Sequence, residues 1–259
     1  MNNIKTKLER RELTIGSWIT MGNTSIVEIM ATSGFDWLTI DMEHTSITLD
    51  IAQDLIRVIE LCNCAPFVRI SNNDPVIIKR VMDTGAHGII VPMINTRSEA
   101  ENAVAAAKYP PQGIRGVGLS RAQKYGNDFP GYREWNQKYS VVIVQIEHID
   151  AVNNIEDILS VEGVDGFLIG PYDLSASLGV PGEFKNSNVL EALKHVSTVS
   201  KRLNALSGYH VIPTDFKYVE EKIEEGYHFI AHSLDILFLG DQSRQTVSLW
   251  KKTLERKNQ

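Results

Sequence analysis

The chain has 259 residues, of which 43% are hydrophobic and 22% charged, a composition typical of a globular protein with one large core. Its formal net charge of −6 is mild and its Lys and Arg residues are scattered, so no basic surface for nucleic acid or anionic lipid is predicted. No apolar run approaches the roughly 20 residues that a membrane helix needs, and the first residues lack the apolar segment of a signal peptide. We therefore expect a cytoplasmic protein with neither nucleic acid nor a membrane as its partner.

A short pattern recurs along the chain: a helical stretch, then a glycine, then a brief apolar run. The glycine is Gly34, Gly85, Gly163 or Gly226, and the run after it is too short for a helix. Because the runs are continuously apolar, both faces of each should be covered, as in a parallel sheet wrapped by helices. The sequence predicts eight strands, near residues 14–19, 37–41, 65–70, 88–93, 141–147, 166–170, 208–212 and 228–232.

Helical patterns lie between the predicted strands. The clearest are Ile51–Leu61, Val76–Met82, Ser98–Ala107, Val189–Leu203 and Phe216–Glu224. Eight such units predict a single α/β domain over residues 1–259, a (β/α)8 TIM barrel with an extra C-terminal helix. The one long irregular stretch, 109–140, follows the fourth unit, and a loop of that length is usually functional.

In a barrel of this kind the catalytic groups gather at the carboxyl ends of the strands. Polar side chains are expected there after the second, third, fifth and sixth strands. They are Asp41, Glu43, His44, Arg69, Gln145, Glu147 and Asp173. A ring of this polarity exceeds what a structural barrel rim requires, so it is the candidate active site.

Glu147 and Asp173 end adjacent predicted strands, so their carboxylates should converge. Two carboxylates at one point repel each other unless a cation lies between them, and oxygen ligands suit a hard divalent ion used as a Lewis acid. The structural alternative is that Glu147 caps the helix beginning near Ile149 and that Asp173 caps a turn before Leu174. Their pairing at adjacent strand ends favours the metal.

Arg69 directly follows an apolar strand, so its charge needs a carboxylate partner at the barrel mouth. The partner is either Asp41 or Glu43 in a structural ion pair, or an oxygen of the substrate, for which a fixed fork of donors is suited. A single histidine at a strand end is more often a packing residue than a catalyst. Because His44 has acids beside it that could orient it, we interpret it as a general base.

The remaining histidines and both cysteines are interpreted as structural. Cys62 and Cys64 are too close together for the usual zinc spacing and too few for a disulfide framework. His232, at the end of the eighth strand, stays undecided. The histidines given a packing or surface role are His87, His148, His195, His210 and His228.

Two kinds of chemistry lack their usual sequence signals. A Schiff-base aldolase needs a lysine on a barrel strand, and none of the eight apolar runs contains one. The glycine-rich turn that grips phosphate after strand seven or eight is not evident either. We therefore expect neither a Schiff-base lysine nor a nucleotide or phosphorylated ligand.

Ordered motifs extend over nearly the whole chain. They include Asp41-x-Glu43-His44, Val68-Arg69, Val91-Pro92-Met93, Gln145-Ile146-Glu147 and Gly170-Pro171-x-Asp173. At these positions the sequence resembles the HpcH/HpaI aldolase family, the metal-dependent class II pyruvate aldolases. The resemblance implies reversible aldol cleavage of a 4-hydroxy-2-oxo acid to pyruvate, or a close 2-oxo acid, and an aldehyde.

The resemblance assigns roles residue by residue. It implies that Glu147 and Asp173 hold Mg²⁺, Mn²⁺ or Co²⁺, that His44 is the general base, and that Arg69 stabilises the enolate and contacts substrate along with Asp173. It also implies that Gln145 and the backbone at Tyr172 contact substrate and that Asp83 raises the basicity of His44. From the helical pattern alone, Asp83 would be an exposed helix end.

Members of the family are oligomers, commonly hexamers, so the resemblance implies a homo-oligomer, a hexamer or a trimer. The sequence departs from the family at Met42, Tyr172 and His232, around an intact catalytic set, which favours the same enolate chemistry with a different aldehyde. Two alternatives remain: a lyase that acts on acyl-CoA hydroxy acids, as citrate and malate lyases do, and an inactive barrel that serves as a binding protein.

Overall fold

A computed structural model describes residues 4–257 and contains a closed barrel of parallel strands. Each strand pairs with the next along the chain, and the eighth pairs with the first, which confirms the predicted TIM barrel. The strands are β1 (Thr14–Ile19), β2 (Trp37–Asp41), β3 (Ala65–Arg69), β4 (Gly88–Val91), β5 (Val141–Ile146), β6 (Gly166–Ile169), β7 (Ser207–Val211) and β8 (Phe229–Leu234).

Helices follow the strands around the outside of the barrel. They are α1 (Ile4–Glu9), α2 (Thr24–Thr32), α3 (Leu49–Leu61), α4 (Pro75–Asp83), α5 (Arg97–Ala107), α6 (Phe129–Tyr139), α7 (Ile149–Asn153), α8 (Ile155–Leu159), α9 (Pro171–Ser177), α10 (Ser187–Arg202), α11 (Lys217–Glu225) and α12 (Asp235–Lys257). Five of them match the five helical patterns of the sequence to within two residues at either end. The predicted C-terminal helix is α12.

The stretch 109–140 is not wholly irregular, which corrects the prediction of one long loop. Helix α6 occupies its second half. Asp128 caps α6 by accepting a hydrogen bond from the Gly131 amide, and Pro130 lies in the first turn, where a missing amide hydrogen costs nothing. The low apolar content of this helix concealed it from a search for hydrophobic periodicity.

The barrel has two apolar layers, one on each face of the sheet. Inside the lumen, large aromatic side chains pack together, and Trp37 stacks on Phe229 with 4.0 Å between ring centroids. Outside, branched aliphatic residues of the strands pack against the helices. This two-sided burial explains why the strand sequences are continuously apolar.

The four glycines after helical stretches end those helices as predicted. Gly34, Gly85, Gly163 and Gly226 have φ values of 102°, 100°, 95° and 95°, in the left-handed region that favours glycine. Each turn brings the chain back to the amino end of the next strand. The carboxyl ends therefore all meet at the opposite end of the barrel, which we call the mouth.

Two further expectations concern the surface and the thiols. Within residues 4–257, no helix combines the length and the apolar character required to cross a bilayer. Cys64 is buried, and burial raises the pKa of its thiol to about 12, whereas Cys62 is only half-buried. The two cysteines form no disulfide with each other, consistent with the structural role predicted for them.

Candidate active site

An arginine and an aspartate on neighbouring strands form the best-ordered ion pair of the mouth. Arg69 ends β3 and donates from Nε and Nη2 to the two carboxylate oxygens of Asp41, at 2.9 and 2.7 Å. Both side chains are almost fully buried. Burial alone would raise the pKa of Asp41, but hydrogen bonds and charge from Arg69 bring it below its ordinary value. The pair is therefore ionised at neutral pH.

Asp41 also orders the turn that follows β2. Its Oδ1 accepts hydrogen bonds from the backbone amides of Glu43 at 3.0 Å and His44 at 3.3 Å. Glu43 comes within 3.2 Å of Arg69 Nη1, and its Oε2 has no hydrogen bond in the described part of the chain. Arg69 thus lies beside both carboxylates that the sequence offered as its structural partners, Asp41 and Glu43. Its side chain is also directed toward the mouth.

His44 lies on the solvent side of this turn. Its side chain is 65% exposed, and Nε2 is 3.7 Å from Glu43 Oε2. An accessible imidazole next to a carboxylate can accept a proton from a ligand in the mouth. The geometry allows the predicted base, and the ring is not part of the packed core.

Glu147 follows β5 directly and is buried. Its Oε1 accepts a hydrogen bond from the Met93 amide at 2.7 Å, and Gln145 donates to its Oε2. The structural alternative for this residue is wrong, because His148 caps α7 through its own side chain. Glu147 is therefore held at the mouth by the ends of β4 and β5, where it caps no helix.

Asp173 lies in the first turn of α9, which begins directly after β6. Burial, Glu43 and Asp173 together raise the pKa of Glu147 to about 7, although the hydrogen bond from the Met93 amide opposes the shift. Burial likewise raises the pKa of Glu43, with Asp41 and Asp173 adding to it. The mouth therefore concentrates more negative charge than Arg69 neutralises.

The donor set fits a divalent cation. Within residues 4–257, no three His, Cys, Asp or Glu side chains converge as a complete metal cage. Glu147 and Asp173 would supply two oxygen ligands and leave the rest to water and substrate, as hard catalytic ions commonly require. Gln145 Oε1 is buried without a hydrogen-bond partner in the same region, so it is a further oxygen available there.

Gly170 leaves room for this arrangement. A Cβ at position 170 would lie 2.7 Å from Glu147 Oε2 and 2.9 Å from Gln145 Nε2. Both distances are shorter than a side chain tolerates, so only glycine lets the two polar groups approach the end of β6.

Tyr172 lies at the edge of this centre, whereas Asp83 lies at the end of α4, where the chain returns to the amino ends of the strands. The Tyr172 ring is half exposed beside Asp173 and meets Phe184 edge to face at 4.9 Å. Asp83 ends α4 and is largely buried, with its carboxylate 2.5 Å from Nη2 of the fully buried Arg115. Asp83 therefore has a different partner from the predicted His44, and its helix end is not exposed.

The structure settles His232 and brings forward residues that the sequence did not single out. His232 points away from the lumen, between Phe216 and Phe238 at 5.8 and 5.3 Å, so it packs against helices.

The Trp18 ring lies 4.4 Å from the Arg69 guanidinium carbon, and His210 lies 5.1 Å from Trp18. The only sequence signal for Trp18 and His210 was the alternation of side chains along β1 and β7, which directs both into the lumen.

The buried charge of Arg69 gives a stability prediction. Asp41→Ala should lower the free energy of unfolding by about 3 kcal/mol, because it leaves a buried guanidinium without its bidentate partner. The matched control is Asp54→Ala, which breaks the exposed pair with Arg57 and should cost less than about 1 kcal/mol. Urea denaturation measures both, and equal losses would contradict the importance assigned to the Asp41 pair.

Comparisons with known proteins identify the family and the fold. Residues 14–239 match the family described as HpcH/HpaI aldolase/citrate lyase. A 5-keto-4-deoxy-D-glucarate aldolase of Escherichia coli O6:H1 strain CFT073 is 33% identical over 252 residues, which is 97% of each chain.

Two solved structures have the same fold. An HpcH/HpaI aldolase/citrate lyase family protein from Burkholderia cenocepacia J2315 has a TM-score of 0.91 and 31% identity, over 97% of this chain and 100% of that one. An HpcH/HpaI aldolase from Desulfitobacterium hafniense DCB-2 has a TM-score of 0.87 and 30% identity, over 96% of each chain. The chain belongs to the HpcH/HpaI aldolase/citrate lyase family.

Proposed function

We propose that this protein is a class II aldolase that cleaves a 4-hydroxy-2-oxo acid reversibly into pyruvate, or a close 2-oxo acid, and an aldehyde. The observation that carries the proposal is the grouping at one barrel mouth of Arg69 with the buried carboxylate Glu147, the partly buried Glu43 and Asp173. Relatives named as aldolases support the same reaction class.

Glu147 and Asp173 would hold the divalent metal, Mg²⁺, Mn²⁺ or Co²⁺. When bound, such an ion supplies Lewis-acid polarisation of the 2-oxo acid. The raised pKa of Glu147 supports this role, since burial and then repulsion from Glu43 and Asp173 disfavour its charge, and a bound cation would oppose both effects. Gln145 would orient the 2-oxo acid through its amide, and the backbone at Tyr172 would bind the substrate carboxylate.

Arg69 would stabilise the enolate. When the C3–C4 bond of the substrate breaks, its electron pair passes toward the 2-oxo group, and a fixed guanidinium favours the negative charge that develops on the oxygen. Asp41 holds the guanidinium with two hydrogen bonds, so no reorientation is needed during the reaction. The enolate then takes at C3 the proton that His44 removed from the C4 hydroxyl, so that no net proton is consumed, and leaves as the 2-oxo acid.

His44 would be the general base. It takes the proton of the C4 hydroxyl as the aldehyde carbonyl forms, and it returns that proton in the direction of synthesis. Its exposure at the mouth suits a group that must meet the aldehyde end of substrates of different lengths. Asp83 remains a proposed contributor to its basicity and would have to act from its position beside Arg115.

Self-association belongs to the same proposal. Helix α12 leaves a series of apolar side chains exposed. They are Ile236, Leu239, Val247, Leu249, Trp250 and Leu254. An exposed apolar helix of this kind marks a contact between subunits, and a homo-oligomer, a hexamer or a trimer, would cover it.

The function is tested by the metal dependence of two reactions. With pyruvate in D₂O, the enzyme should exchange the methyl protons, and with pyruvate and a panel of aldehydes it should form aldol products. Removing metal with EDTA should abolish both, and Mg²⁺, Mn²⁺ or Co²⁺ should restore them, because the metal polarises the 2-oxo acid. Glu147→Gln should lose Mn²⁺ binding and both reactions, whereas the exposed control Glu162→Gln should keep them. Full activity of metal-free enzyme would refute the proposal.

The role of His44 predicts a separation between turnover and metal binding. His44→Ala should lower the kcat of aldol cleavage by about 10² to 10⁴-fold, the usual contribution of a general base, while Mn²⁺ affinity changes less than about twofold. The control is His195→Ala, which removes an exposed histidine of α10. Rates come from steady-state kinetics and affinity from a Mn²⁺ titration. A loss of turnover that tracks lost metal would reassign His44 as a ligand.

A further inference from the structure

The position of Arg69 depends on an aromatic ring as well as on its carboxylates. Its guanidinium carbon lies 4.4 Å from the ring centroid of Trp18, a residue of β1 that is 1% exposed. A cation over an indole face gains electrostatic stabilisation, and a ring packed beneath a guanidinium also limits how far it can move. The Trp18 ring therefore packs against the face of the Arg69 guanidinium, while Asp41 binds the edge of that guanidinium.

Trp18 in turn packs against a histidine inside the barrel. The His210 ring is 5.1 Å from the Trp18 ring, with 40° between their planes. Leu206 belongs to the lumen cluster, and Tyr209 and Val211 belong to the outer apolar layer, so alternation along the strand directs His210 into the lumen. The packing or surface role predicted for His210 from the sequence therefore did not include its contact with Trp18 inside the barrel.

The surroundings of His210 keep it neutral and oriented. Burial, together with the nearby charge of Arg69, lowers the pKa of its imidazole to about 3. Its Nε2 has no hydrogen-bond partner among the described residues, and the ring interacts with the backbone at Ser233, a left-handed residue of β8 with φ 53°. A neutral ring fills this space without adding a second positive charge beneath Arg69.

The geometry points to His210 as a positioning residue that holds the Trp18 ring in place and, through it, fixes Arg69 for enolate stabilisation. This inference rests on the proposed function for its kinetic consequence. Its structural part, that His210 restrains Arg69 through Trp18, holds for any reaction at this mouth. Loss of the His210 ring frees Trp18 to tilt into the lumen, and the guanidinium follows it away from the position where charge develops.

Two measurements on His210→Ala test both parts. Deuterium exchange into pyruvate at saturating Mn²⁺ should slow by about tenfold, the order of effect expected for a misplaced catalytic group. Modification of Arg69 by phenylglyoxal, followed by peptide mass spectrometry, should accelerate at least about threefold relative to the exposed Arg97, because a loosened guanidinium leaves Asp41 more often.

Control variants separate positioning from loss of stability. His210→Phe keeps an aromatic ring in the lumen and should stay within about twofold of the wild type in both measurements. Val196→Ala removes buried volume in the outer apolar layer, on the other face of the sheet from Trp18, and should lower the melting temperature without changing Arg69 modification. In a Trp18→Leu background, His210→Ala should add little, since the ring through which it acts is gone.

The outcomes are distinguishable. Unchanged Arg69 modification in His210→Ala, or an effect of the same size in the Trp18→Leu background, overturns the inference. A wild-type enzyme that exchanges no pyruvate protons overturns the proposed function, and in that case the Arg69 modification rates still decide whether His210 restrains Arg69.

Discussion

The ion pair between Arg69 and Asp41 is the interaction on which the rest of the mouth depends. A guanidinium this deeply buried is stable only with a carboxylate in bidentate contact, and Asp41 is placed opposite it by the pairing of β2 with β3. The same carboxylate orders the turn that carries Glu43 and His44. Strand pairing, charge compensation and the position of a catalytic candidate are thus linked through one side chain.

Next to this pair the mouth carries an excess of carboxylates. Burial raises the pKa of both Glu147 and Glu43, and nearby carboxylates add to it: Glu43 and Asp173 for Glu147, Asp41 and Asp173 for Glu43. A fold selected for stability alone would replace such a group with apolar residues. Its presence beside a fixed guanidinium suits the proposed enolate chemistry, in which the carboxylates would bind a cation and the guanidinium would stabilise the developing negative charge.

Much of the fold and of the candidate site could be predicted from the sequence, because the apolar strands and the polar residues that follow them are both local signals. Continuous apolar runs, four of them preceded by a helix-ending glycine, predicted all eight strands, and polar residues directly after them predicted the candidate site. Helix α6 was missed because its packing relies on few apolar residues, with Tyr132 and Asn136 as its buried positions. The pairing of Asp83 with Arg115 could not be foreseen either, since it joins a helix end to a loop 32 residues away.

Trp18 and His210 show a second limit of sequence reasoning. Each lies within an apolar strand, where an aromatic ring is expected to be core, and nothing in the local pattern distinguishes a lumen residue that touches Arg69 from one deeper in the barrel. The distinction comes from the stagger of the strands, which brings β1 and β7 beneath the end of β3. In a closed barrel the layer of packing below the catalytic groups is therefore continuous with them, so a buried ring there affects the geometry of the reaction as well as the stability of the fold.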